Sequence, residues 1–156
     1  MNQQQADKVL RKGLDALGVT YVAMPEYQCY VAVDRHGHQV EFSAYEGPFL
    51  DPEMTRQPPV LTVSTVLLAD IDVPFPERWR DLLRLGDQFP FAKLTINGGN
   101  QLTVAVELFA EFTSPSELLS AMLTVSMLAD RYGDEVAEHF EGQRVFWKRG
   151  RTSAAA

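Results

Sequence analysis

The residues best equipped for chemistry in this 156-residue sequence are three histidines, one cysteine and a spread of carboxylates. Asp34, His36 and His38 fall together in Asp34-Arg35-His36-Gly37-His38. Two imidazoles and a carboxylate are ligands that a divalent metal accepts. Residues so close in one turn rarely complete a coordination sphere without a distant further ligand, and the sequence offers no evident one. A His-Gly-His tip more often serves as a solvated turn, so no metal is expected there. Cys29 is a nucleophile only with a base nearby and an electropositive setting. It stands between Gln28 and Tyr30 in an apolar run, which marks a buried, inert thiol. Asn97-Gly98-Gly99-Asn100 has the glycines of a phosphate cradle but precedes a strand, whereas such cradles open a helix and carry lysine with serine or threonine. The acidic pairs Asp70 with Asp72 and Asp134 with Glu135 fall at a strand end and on the outer part of a helix, where solvated charge is expected. No Ser-His-Asp, zinc or nucleotide motif remains. The reading is of a non-enzyme with no catalytic residue, no metal and no cofactor.

The elements that hold these residues belong to one domain's worth of chain, about 100–200 residues. Its composition, 46% hydrophobic and 22% charged, is that of an ordinary globular protein. A single cysteine excludes an internal disulfide. No stretch approaches the ~18 apolar residues of a membrane span. The polar start Met1-Asn2-Gln3-Gln4-Gln5 lacks a signal-peptide pattern, so a soluble, cytoplasmic protein without membrane contact is expected. Charge is distributed unevenly. Residues 142–156 carry Arg144, Lys148, Arg149 and Arg151 with no acid, a balance of +4, which leaves −11 of the net −7 on residues 1–141. An acidic body argues against broad binding to nucleic acid or anionic membrane. The tail, with Phe146 and Trp147, can pair phosphates and stack on bases, and Arg144, Lys148, Arg149 and Arg151 are its candidate nucleic-acid contacts. Four charges supply few phosphate contacts, so the leading expectation is a flexible basic extension, 142–156, appended to a single domain, 1–141.

Hydrophobic periodicity predicts a helix from Gln3 to Leu17, on which Ala6, Val9, Leu10, Leu14 and Leu17 share a face and which Gly18 closes. A strand run, Val19 to Val33, follows, with Pro25 marking an edge position or a bulge. Asp34 to His38 is a hairpin turn into a strand alternating at Val40, Phe42 and Ala44. The proline-rich stretch Gly47 to Pro59 is a loop. Val60 to Ile71 is apolar at both parities, the pattern of a central strand covered on both faces. A helix begins at Pro74-Phe75-Pro76, with Trp79, Leu82 and Leu83 as its inner stripe. Matching the apolar faces of Ala92–Ile96 and Leu102–Leu108 sets Leu94 opposite Val104 and Ile96 opposite Leu102 around the turn Gly98-Gly99-Asn100. Ser114-Pro115-Ser116-Glu117 is a capping box that opens a helix reaching about Glu141. That helix bears one stripe through Leu118, Met122, Val125, Ala129, Tyr132 and Val136, and a second through Leu119, Leu123 and Met127.

The order α-β-β-β-α-β-β-α, an α+β domain with a twisted antiparallel sheet, resembles that of the YbjN family, whose fold is similar to class I type III secretion chaperones. The resemblance is carried by Leu82-Leu83-Arg84-Leu85 leading to Phe89-Pro90-Phe91-Ala92-Lys93-Leu94. It continues through Leu102-Thr103-Val104-Ala105-Val106-Glu107 and through Ser116-Glu117-Leu118 at the last helix. The basic extension has no counterpart in the resemblance. What the resemblance implies is a non-enzymatic, dimeric module that holds a segment of another protein, an adaptor or chaperone-like regulator. Surplus apolar surface points the same way. The candidate dimer or partner contacts are Trp79, Leu82 and Leu83, and the second stripe Leu119, Leu123 and Met127. The alternative is a nucleic-acid-associated regulator acting through the basic tail.

Overall fold

The computed structural model describes residues 1–46, 58–71, 76–89, 91–97, 99–140 and 142–145, with the side chains at 27, 46, 76–79, 82 and 139 outside that description. Helix α1 (Gln3–Ala16) is capped by Asn2, whose side chain accepts from Gln5 N while the Gln5 side chain returns to the Asn2 amide. Gly18, at φ +64°, lets the chain leave α1 where a Cβ would be strained. Next come β1 (Tyr21–Met24) and β2 (Cys29–Val33), joined by a 3-10 turn at Pro25–Tyr27. Pro25 therefore reverses the chain instead of bulging one strand. Gln28, in the left-handed region at φ 51°, completes the turn, and Tyr21 faces Ala32 across the new hairpin.

Strand β3 (Gln39–Glu46) pairs with β2 through the Asp34–His38 turn, closed by Asp34 N donating to His38 O at 3.0 Å. Strand β4 (Pro59–Ala69) is the sheet's centre, followed by α2 (Pro76–Gly86), β5 (Lys93–Ile96), β6 (Leu102–Phe109), α3 (Pro115–Phe140) and β7 (Gln143–Arg144). The sheet order is β1-β2-β3-β4-β6-β5, with β7 pairing the far end of β4. The expected register of the β5–β6 hairpin is found, Leu94 against Val104 and Ile96 against Leu102. Asn97 holds its turn by accepting from Gly99 N and Gln101 N. The capping box closes α3 as expected, Ser114 N donating to Glu117 Oε2 at 2.7 Å.

One hydrophobic core lies between the sheet and the pair α1 and α3. It gathers Leu10 and Leu14, Phe42, Leu61 and Val63, Val104, and Leu118 and Val125. Tyrosines pin α1: Tyr30 donates to Asp7 Oδ1 at 2.7 Å and Tyr21 to Asp15 Oδ1 at 2.9 Å. The expectation that β4 is covered on both faces is corrected. Leu61, Val63, Thr65 and Leu67 are buried under the helices, while Thr62, Ser64 and Val66 of the opposite face are only partly covered. A register shift between Val66 and Leu68 turns Leu68 into the core beside Leu67, so a bulge accounts for part of the double-sided pattern, and Val60 of the other face is buried before it. The open face is polar and includes Glu41, Ser43, Tyr45, Thr95, Thr103 and Glu107, as a one-sided antiparallel sheet requires.

Among the described side chains of α2, Leu85 packs against the core, whereas Leu83, expected on the inner stripe, is 71% exposed. Just after α2 the chain buries Phe89 against Tyr132, with ring centroids 5.0 Å apart. Arg144, counted from sequence with the basic extension, lies in β7 opposite Leu68. Its guanidinium donates to Asp134 Oδ1 at 2.6 Å and to the Ala129 carbonyl at 2.9 Å, over Gly133, where a Cβ would stand 2.5 Å from the guanidinium. An Arg144→Ala variant is expected to lose about 1–2 kcal/mol in urea unfolding, as for a charge-assisted hydrogen bond. An unchanged midpoint would place Arg144 outside the cooperative fold.

Candidate functional site

The second stripe of α3 faces away from the core. Leu119, Leu123 and Met127 are 38%, 59% and 55% exposed, spaced at three to four residues so that they form one continuous outer line. Met122 is half-buried between that line and the core-facing stripe. Beside this line runs a groove of about 730 Å³, whose opposite wall is the end of β2 and the turn into β3. Val33, Met122, Leu123 and Met127 give it apolar character, and Arg35, His36, Asp130 and Arg131 charge one end. Methionines here matter physically, since an unbranched thioether chain repacks around differently shaped apolar groups.

The histidine-rich turn does not assemble ligands around a metal. Among the described residues no cluster of three or more histidine, cysteine or acidic groups has metal-binding geometry. Both imidazoles instead meet one carboxylate on α3. His38, buried, places Nε2 3.2 Å from Asp130 Oδ1, and His36, partly exposed, places Nδ1 3.3 Å from Oδ2. Arg35 Nε donates to His36 Nε2 at 2.7 Å, which leaves Nδ1 as the nitrogen that donates to Asp130. Asp34 Oδ1 accepts from the amides of His36 and His38, at 2.8 and 2.9 Å. The turn is thus folded by Asp34 and fastened to α3 by Asp130, beside the groove. Asp130 is the functional residue the sequence reading missed. It lies 92 positions from His38, and its only local signal is a carboxylate on the helix's outer flank.

The remaining candidates fall as follows. Cys29 is buried, and burial, with Glu41 beside it, pushes its thiol up to about 11, so it carries no nucleophile at neutral pH. Tyr45 and Lys93 both bond Glu107 on the open face, which holds that carboxyl below its usual range against the opposing effect of its own burial. Leu83 is exposed on α2, away from the groove. The side chains of Trp79 and Leu82, and Lys148, Arg149 and Arg151, lie outside the described residues. Arg144 is bound to α3 and is the one tail cation the description reaches.

Residues 49–148 match the model of a family described as T3SS (YopN, CesT) and YbjN peptide-binding chaperone 1. The chain belongs to this family. The matched segment runs through β4 to β7 and contains all of α3, while α1 and the histidine turn lie before it. Among solved structures, a chain in the crystal structure of the ExsC-ExsE complex superposes with a TM-score of 0.54 at 12% identity, over 86% of this chain and 96% of that one. At that identity the likeness shows the fold. No curated protein matches the sequence. Family and fold together give a chaperone-like, peptide-binding module. Among the described residues no helix is long and apolar enough to cross a membrane.

The Asp130 carboxyl is held below the usual aspartate range, first by the hydrogen bond from His38 and then by the charges of His36, His38 and Arg144. A depressed folded value means that its stabilising contribution is present at neutral pH and disappears as pH falls through that value. An Asp130→Asn variant is expected to unfold at lower urea than the parent at neutral pH. The difference between the two proteins should begin to shrink near the ordinary aspartate value of about 3.9 and vanish only below the lower folded value. A difference that stays constant into strong acid would contradict the pairing.

Proposed function

We propose that the chain is a non-enzymatic, homodimeric adaptor or chaperone-like regulator that holds a segment of a partner protein in the groove between α3 and the β2–β3 turn. The observation that carries this reading is the bare apolar line Leu119, Leu123 and Met127 at the edge of a groove that also exposes Val33 and Met122. A monomeric soluble protein gains nothing from keeping such a line in water, because covering a leucine or methionine fully is worth about 1.5–3 kcal/mol. Flexible methionine-rich surfaces suit a holder that accepts segments of differing sequence. The second copy is assigned to α2, whose exposed Leu83 shares a helix with Trp79 and Leu82. Edge strand β1, with Val22 exposed, offers unpaired backbone for a further stretch of an extended partner. A cytoplasmic location and a protein partner fit this role.

The nucleic-acid alternative has less to rest on, since Arg144 is engaged by Asp134 and Ala129 within the fold.

Two variants separate the assignments. In sedimentation at micromolar concentration the parent should run as a dimer, and Leu83→Asp should dissociate it. Selection of displayed random peptides on the immobilised protein should enrich apolar sequences. The double variant Leu119→Asp with Leu123→Asp should abolish that enrichment while remaining folded and dimeric. A strictly monomeric parent contradicts the dimer, and enrichment that survives the double variant contradicts the groove.

A further inference from the structure

The described chain ends at Val145, and the place where it ends bears on the groove. Leu68 of β4 is already paired with Leu102 of β6, so β7 lies on the other edge of β4, the edge that carries β3. Gln143 and Arg144 stand opposite Ala69 and Leu68, while Val40 stands opposite Thr65. Strand β7 therefore runs in line with β3 and toward its first residue, Gln39, beside the histidine turn. Arg144 faces α3, where its guanidinium bonds the Ala129 carbonyl and Asp134 over Gly133. On α3, Met122, Ser126, Asp130 and Gly133 follow at spacings of four, four and three, so they share one flank of the helix. The chain thus leaves the fold about one turn beyond the charged end of the groove, on the groove's own side of α3.

Eleven residues follow Val145, Phe146 to Ala156, and they lie outside the described residues. We infer that this C-terminal segment of the same chain occupies the groove when no partner is bound, with Phe146 and Trp147 over Met122, Leu123 and Met127, and that a partner segment enters by displacing it. Reach, side and charge support the assignment. Extended, eleven residues span about 36 Å, whereas α3 rises only about 21 Å from Gly133 back to Leu119. In an extended chain position 146 shares the face of position 144, which is turned to α3, and lies about 7 Å further on. Met127 is about 9 Å along α3 from Gly133. The segment carries Lys148, Arg149 and Arg151 with no acid, against a body of −11. Aromatic rings also suit methionine thioethers, which attract them at the ring edge. A tethered segment acts at an effective concentration in the millimolar range, so even weak contacts hold it in place. The inference rests on the groove being the partner site and adds how access to that site is regulated.

The test uses the full chain with isotopically labelled methionine methyl groups and no peptide. In Phe146→Ser with Trp147→Ser, the loss of two ring currents should move the Met122 and Met127 resonances away from their parent positions. The triple variant Lys148→Glu, Arg149→Glu and Arg151→Glu, which keeps both rings, should move them the same way. A segment that fills about nine-tenths of the grooves leaves a tenth open, so the peptide recovered in the selection described above should bind the aromatic double variant about tenfold tighter than the parent. Met122 and Met127 resonances that are identical in the parent and both variants overturn the docking, whether or not the peptide binds. Shifted resonances with an unchanged peptide affinity overturn the displacement. Labelled double variant mixed with excess unlabelled parent should keep its own resonances; a return to parent positions would give the groove to the tail of a second copy and overturn the assignment to the same chain. Peptide binding that ignores Leu119→Asp with Leu123→Asp refutes the groove as the partner site, a separate failure that the peptide-free spectra do not share.

Discussion

Among the described residues the helices α1 and α3 pack on one face of the sheet, and most of what distinguishes this molecule follows from that. The faces of β4 differ: Leu61, Val63 and Leu67 are sealed under α1 and α3, and Thr62 and Ser64 look to the other side. A helix laid on a sheet can turn roughly half its circumference toward it, and α3 spends that half on Leu118, Val125, Ala129 and Val136. Among the described residues, Leu119, Leu123 and Met127 of its outer side are left exposed. Several kilocalories of burial are therefore available to whatever covers them, on the scale of about 1.5–3 kcal/mol per large side chain.

Bare apolar surface alone does not make a specific site; shape and fixed position do. Here the fixing comes from the Asp34–His38 turn, an element that reads from sequence as a solvated hairpin tip. Its two imidazoles converge on Asp130, so that the turn is fastened to the same helix that bears the apolar line. The groove is therefore built from β2, the turn and α3, and the methionines within it have unbranched, adaptable side chains. A fastened wall with adaptable lining fits a module that holds many versions of one kind of segment, and the family to which the chain belongs is one of peptide-binding chaperones.

Much of the fold was legible in the residues, and the failures have a common cause. The α3 capping box, the two stripes of α3 and the β5–β6 register were all set by contacts within a few residues or by face matching between adjacent strands, so local pattern sufficed. The outer stripe was the part of the candidate site that sequence could reveal, because its periodicity is intrinsic to α3. What escaped depends on distant partners. Asp130 acquires its role from histidines about ninety positions earlier, and Arg144 from Asp134 and Ala129 once β7 pairs with β4. The bulge at Val66–Leu68 imitated a two-sided strand because one extra residue flips every later side chain to the other face. Pro25 carried an ambiguous signal for a similar reason, since a proline suits both a bulge and the start of a 3-10 turn.

The central claim is that the partner segment lies along the outer stripe of α3 and not on the open sheet face. Methyl NMR of protein carrying isotopically labelled methionine tests it most directly, because Met122 and Met127 line the groove. On addition of a peptide selected by the protein, the Met122 and Met127 resonances should shift in a saturable manner together. Saturable binding that leaves Met122 and Met127 unmoved would contradict the account.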